Sequence, residues 1–106
     1  MKAARSYRDD LIEDLKDRRE AAAYLNAAIE AGDRKAFLLA LRNVLEANGG
    51  MTAISRKTKM NRVSLYRMLS KKGNPEFDSI WLLLDALGIR LEVTAKLNSR
   101  IHRKAA

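Results

Sequence analysis

Residues 51–70 read "MTAISRKTKMNRVSLYRMLS", and the placing of apolar residues within them decides the architecture. Two short helical segments, at about 52–58 and 61–70, are joined too tightly for a flexible loop. Ile54, Met60, Leu65, Met68 and Leu69 fall where two steeply crossing helices would meet, which is the helix-turn-helix arrangement. A close crossing needs a small residue, and Ser55 supplies it. The second helix needs a cap, and Asn61 is a favoured one. One position departs from the pattern. The turn usually holds Gly at positive φ, whereas this chain offers Lys59, at a cost of about 1 kcal/mol. A differently shaped turn is therefore expected.

Charge gathers on the same stretch. Residues 55–72 contain Arg56, Lys57, Lys59, Arg62, Arg67, Lys71 and Lys72, with no Asp or Glu. Residues 1–48 balance nine Lys/Arg with nine Asp/Glu, while residues 49–106 set twelve against four and so carry the whole net charge of +8. A merely solubilising surface mixes its signs. This asymmetry points to a polyanion, with nucleic acid ahead of a membrane surface. With Leu65 turned inward, a rotation of about 100° per residue exposes Arg62, Val63, Tyr66 and Arg67. A recognition helix inserts such residues in the major groove, where Arg reads guanine edges and Val touches a thymine methyl. Asn61 and Ser64 reach phosphates or bases. Arg56, Lys57, Lys59, Lys71 and Lys72 flank the helix where the phosphate backbones should run. Tyr66 either packs half-buried or contacts the DNA.

The segments on either side read as follows. Leu11, Ile12 and Leu15 lie at helical spacing in "YRDDLIEDLKD". Asp17 and Glu20 form a capping-box variant opening "RREAAAYLNAAIEA". Gly32 closes that helix, and Asp33 caps the next, whose apolar stripe of Phe37, Leu38, Leu41, Val44 and Leu45 belongs to the core. Asn48-Gly49-Gly50 ends it. After a break at Gly73-Asn74-Pro75, Asp78 or Ser79 opens "IWLLLDAL", which is apolar nearly all round and reads as a buried core helix over 76–88. Trp81 is expected in the core or an interface. The period then changes to two. Ile89, Leu91, Val93, Ala95 and Leu97 share one face of a strand over 89–97, before a basic tail at 98–106. The whole chain, 1–106, reads as one mostly α domain with a single C-terminal β-strand.

A lone strand cannot satisfy its backbone, so a two-fold copy of itself is the simplest partner. An antiparallel pair centred on Leu91 sets Arg90 opposite Glu92 and Ile89 opposite Val93, whereas centring on Glu92 opposes two carboxylates. The homodimer would hold its recognition helices about 34 Å apart, implying a palindromic operator in double-stranded DNA. In the competing arrangement the strand extends a partner protein's sheet.

Other classes fit poorly. His102, in the tail, is the one histidine, and Cys is absent. Metal-ligand spacings, nucleophile–base pairs and Gly-rich phosphate loops are missing, so no enzyme, metal or cofactor is expected. No apolar run approaches the roughly 20 residues that span a bilayer. "MKAARSYRDD" lacks the apolar core of a secretory signal, and a cytoplasmic protein is expected.

Over roughly residues 7–95 the sequence resembles the addiction-module antidote proteins, the HigA-like antitoxins with an XRE/Cro-type helix-turn-helix. The stretches that carry the resemblance are "AAAYLNAAIEAGD", "GGMTAISRKTKMNRVSLYRMLS", "GNPEFDSI" and "LGIRLEV". The resemblance implies a lambda-repressor-like domain with extra N-terminal helices. It further implies an antitoxin that neutralises a RelE/HigB-like ribonuclease toxin and represses its own operon. Such a toxin is expected to be basic because it grips RNA. Asp9, Asp10, Glu13, Asp14 and Asp17 would then meet it, with Leu11, Ile12 and Leu15 as apolar anchors. The alternative is that this helix packs on its own domain. Two other functions stay open: a stand-alone or phage-type repressor without a toxin, and an adapter that binds only protein.

Overall fold

Short polar side chains start each of the first three helices. In the computed structural model, which describes residues 6–96, the Ser6 hydroxyl accepts a hydrogen bond from the Asp9 N–H and opens α1, Tyr7–Asp14. Asp17 accepts from the Arg19 and Glu20 N–H groups and opens α2, Arg18–Glu30. Asp33 does the same for Lys35 and Ala36 at the head of α3, Arg34–Ala47. Each cap satisfies donors that the first turn leaves free and is worth about 1 kcal/mol.

The third helix is the centre of the domain. Leu41, Val44 and Leu45 have no exposed surface, and α1, α2 and α4 (Gly50–Thr58) all pack on this helix. One polar side chain is buried among them. Asn43 accepts from an Arg8 guanidinium N–H at 3.0 Å and donates to the Tyr24 hydroxyl at 2.9 Å, so α1, α2 and α3 meet at a satisfied amide. Arg8 also pairs with Glu46. Asn48 donates to the Val44 and Leu15 carbonyls, fastening the end of α1 to the end of α3.

These ties settle the packing of α1. Leu15 is 2% exposed, and Leu11 and Ile12 are half-buried against the core. The three residues expected as anchors for a partner face inward, because a short helix in water keeps its place only by burying its apolar row. Asp9, Asp10, Glu13, Asp14 and Asp17 remain on the exposed side.

A second expectation fails on one face only. α6, Phe77–Ala86, packs against α4. It buries Leu83 and Leu84, and Leu87 just beyond it. Its outer side leaves Phe77, Trp81 and Leu82 exposed, with the Phe77 and Trp81 rings edge-to-face at 5.7 Å between centroids. The helix lies at the rim of the bundle, so it is a surface helix with an apolar outer stripe rather than a core helix buried all round.

The C-terminal strand is not formed within the described residues of the single chain. The Ile89 N–H donates to the Leu84 carbonyl, after which residues 89–96 form no strand. A ladder needs a second strand, and the described residues of one chain supply none. The alternation survives in part. Ile89 and Leu91 are half-buried, Arg90 and Glu92 pair on the outside at 2.8 Å, and Val93 is completely exposed. Leu97, the tail and His102 lie outside the described residues.

Candidate nucleic-acid interface

Two glycines in the left-handed region, Gly49 at φ +106° and Gly50 at φ +79°, let the chain leave α3 and start α4 at once. From α4 the chain enters α5, Arg62–Met68, through residues 59–61. Lys59 takes φ 66°, ψ 18°. The turn therefore has the usual left-handed shape despite the side chain, and the different shape expected for it is not seen. Its N–H donates to the Ser55 carbonyl at 2.7 Å. Two hydroxyls hold the turn from within: Ser55 donates to the Met60 carbonyl, and Thr58 accepts from the Met60 N–H at 3.1 Å. Ser55 thus does more than leave room at the crossing. Asn61 caps α5 through the Ser64 N–H at 3.1 Å.

Strain at Lys59 gives a measurable expectation. Lys59→Gly should stabilise the domain by about 1 kcal/mol in urea unfolding, since a left-handed non-Gly residue carries about that penalty. A variant no more stable than the parent would show that the turn is unstrained.

Inside the pair, Ile54, Leu65 and Leu69 are buried and Met60 and Met68 half-buried, so the five residues expected at the crossing all face inward. Outside, Val63 is 61% and Tyr66 54% exposed, and Arg62 and Arg67 are exposed beside them. Tyr66 is accordingly a surface residue, not a packing residue. Ser64 is half-buried, and Asn61, Arg56, Lys59, Lys71 and Lys72 are exposed. Lys57 is drawn elsewhere. Its ammonium donates to the Ala86 carbonyl at 3.0 Å, because the last carbonyls of α6 lack helical partners and favour a cation. After α5 the chain doubles back: Ser70 donates to the Arg67 carbonyl, and the Gly73 N–H donates to the Ser70 carbonyl at 2.9 Å. This turn carries Lys71 and Lys72 just past the end of α5.

Two cations escape a reading of the sequence. An Arg34 guanidinium N–H donates to the Asn74 amide oxygen at 3.0 Å. That bond brings Arg34 and Lys35, from the charge-balanced half, alongside Lys71 and Lys72. Forty positions separate its partners, and no short pattern signals such a pairing.

Chemically the face offers guanidinium and ammonium donors, one exposed valine and one exposed phenol. Among the described residues no group of three His, Cys, Asp or Glu is placed to hold a metal ion. Nor is any helix among them long and apolar enough to cross a membrane.

A family model described as "Probable addiction module antidote protein" matches residues 6–95. A Haemophilus influenzae protein described as "Uncharacterized protein" is 31% identical over 84 residues, covering 79% of this chain and 86% of that protein. No solved structure matches the chain.

Proposed function

We propose, from the premise that the chain belongs to the probable addiction module antidote family, that it is a sequence-specific DNA-binding antitoxin. In this proposal α4 and α5 are a helix-turn-helix of XRE/Cro type, and α5 enters the major groove of the protein's own operator. The observation that carries it is the outer face of α5, where Arg62, Val63, Tyr66 and Arg67 stand exposed amid cations, in a stretch without an acid. Arg62 and Arg67 read guanine, Val63 meets a thymine methyl, and Asn61, Ser64 and Tyr66 reach bases or phosphates. Arg56, Lys59, Lys71 and Lys72 hold the phosphate backbones. Lys57, already bonded to α6, contributes charge more than contact.

The protein works in the cytoplasm without catalysis, as a homodimer on a palindromic site. Residues 89–93 supply the two-fold contact. The full exposure of Val93, an apolar β-branched residue, favours that pairing. A RelE/HigB-like ribonuclease toxin is the second partner. The exposed acids of α1 favour a basic partner. That contact would have to be largely electrostatic, because Leu11, Ile12 and Leu15 are engaged in the core.

Gel shift or anisotropy on the protein's own promoter tests the central point. Arg67→Ala should cost about 1–3 kcal/mol on the operator and little on random DNA. Lys71→Ala should weaken both alike. Equal losses on both DNAs for Arg67→Ala would remove its base-reading role.

A further inference from the structure

The cations of α3 and of the turn after α5 share one cleft, lined by Arg34, Lys35, Leu38, Lys71, Lys72, Gly73 and Asn74. No Asp or Glu is among those residues. The acid next to Arg34 in the chain, Asp33, already accepts from the Lys35 and Ala36 N–H groups at 2.9 and 3.2 Å. All four cations are exposed. The Asn74 amide holds the Arg34 guanidinium by one of its five N–H donors, which aims the group and leaves the others free to bind. Four like charges in one cleft raise the local potential and draw anions to it.

We propose that this cleft is a second DNA contact, in which Arg34 and Lys35 act with Lys71 and Lys72 to grip the sugar–phosphate backbone beyond the recognition groove. Backbone rather than a free anion is argued from continuity. Lys71 and Lys72 stand three and four residues beyond the end of α5, in the turn that closes it, so the cleft is next in the chain to the Arg62–Arg67 face. The helix that forms the core thus also supplies part of the footprint, and α3 and α5 are bound to one duplex together. The inference rests on the DNA-binding function proposed above.

The test uses the full-length chain, a fluorescent mixed-sequence duplex and a duplex of its own promoter, at about 50–200 mM salt. Arg34→Gln with Lys35→Gln should make the slope of log K against log salt shallower by about 1.8 per protomer, two phosphates' worth. Affinity at about 0.1 M salt should fall roughly tenfold to a hundredfold, equally on both duplexes. Asn74→Ala removes the Arg34 tether but no charge, and should keep the parent slope. If the double variant melts like the parent yet retains its slope, the cleft does not touch DNA. The inference is equally overturned if Asn74→Ala alone reproduces the loss. It also falls if inorganic phosphate protects the parent from melting while the double variant binds DNA with the parent slope. If the parent binds neither duplex, the proposed function itself falls, and the cleft with it.

Discussion

Leu65→Ala is expected to remove about 2–5 kcal/mol of folding stability, the range measured when a buried leucine is cut back to the β-carbon. Leu65 has no exposed surface and belongs to the same buried cluster as Ile54 and Leu69. α5 has only seven residues, too few to persist as a helix without tertiary contacts. Leu65 is the one residue within its span that is buried, so the truncation takes away the main anchor of the element. A domain of this size stands only about 5–15 kcal/mol above its unfolded state, so such a loss would take a large part of the margin. Urea unfolding should show a lowered midpoint at an unchanged slope. Tyr66→Ala, next door but 54% exposed, should change stability by less than about 0.5 kcal/mol. A loss below about 1 kcal/mol at Leu65 would mean that α5 is not seated on the core as described.

Gly73→Ala should do nearly as much through a different cause. Gly73 is not at positive φ, so backbone preference is not the issue. A β-carbon at that position would lie 1.9 Å from the Met68 carbonyl oxygen and 2.5 Å from its carbon. Both are backbone atoms, which cannot swing aside as a side chain would. The turn that closes α5 must therefore open, breaking the Gly73 to Ser70 hydrogen bond at 2.9 Å. Forced overlap of this kind costs about 3 kcal/mol, near the top of the overpacking range. Thermal melting should register it, and Lys71 and Lys72 should leave their places beside Arg34. A variant as stable as the parent would show that the turn can re-form with a side chain inside it.

What could be read from the residues was the local grammar. Asp17, Asp33 and Asn61 are caps recognisable from their own sequence neighbourhoods, and each does cap its helix. The crossing of α4 and α5 was equally legible, because Ile54, Leu65 and Leu69 had to face one another whatever lay outside. The readings that failed depended on what covers a surface. Phe77, Trp81 and Leu82 are as apolar as core residues, and only the position of α6 at the rim leaves them in water. The strand is absent from the described residues of the single chain for a related reason, since alternation records a two-sided environment but not the partner that completes it. In the candidate site, linear charge density gave the exposed cations of α5. It gave no hint of Arg34 or Lys35, which reach that region by folding, nor of Lys57 turning to the end of α6.

The outer face of α5 is built without obligations to the rest of the molecule. Among the described residues, the side chains of Arg62, Val63, Tyr66 and Arg67 take part in no ion pair, ring contact or hydrogen bond. Substitutions at such places ordinarily shift stability by no more than about 0.5 kcal/mol in either direction. These four positions can therefore drift in evolution almost independently of foldability, while Leu65 between them cannot. A scaffold divided in this way is mutationally robust where it is rigid and free to diverge on the face proposed above to meet DNA. Sister proteins could then acquire new addresses one residue at a time without passing through an unfolded ancestor.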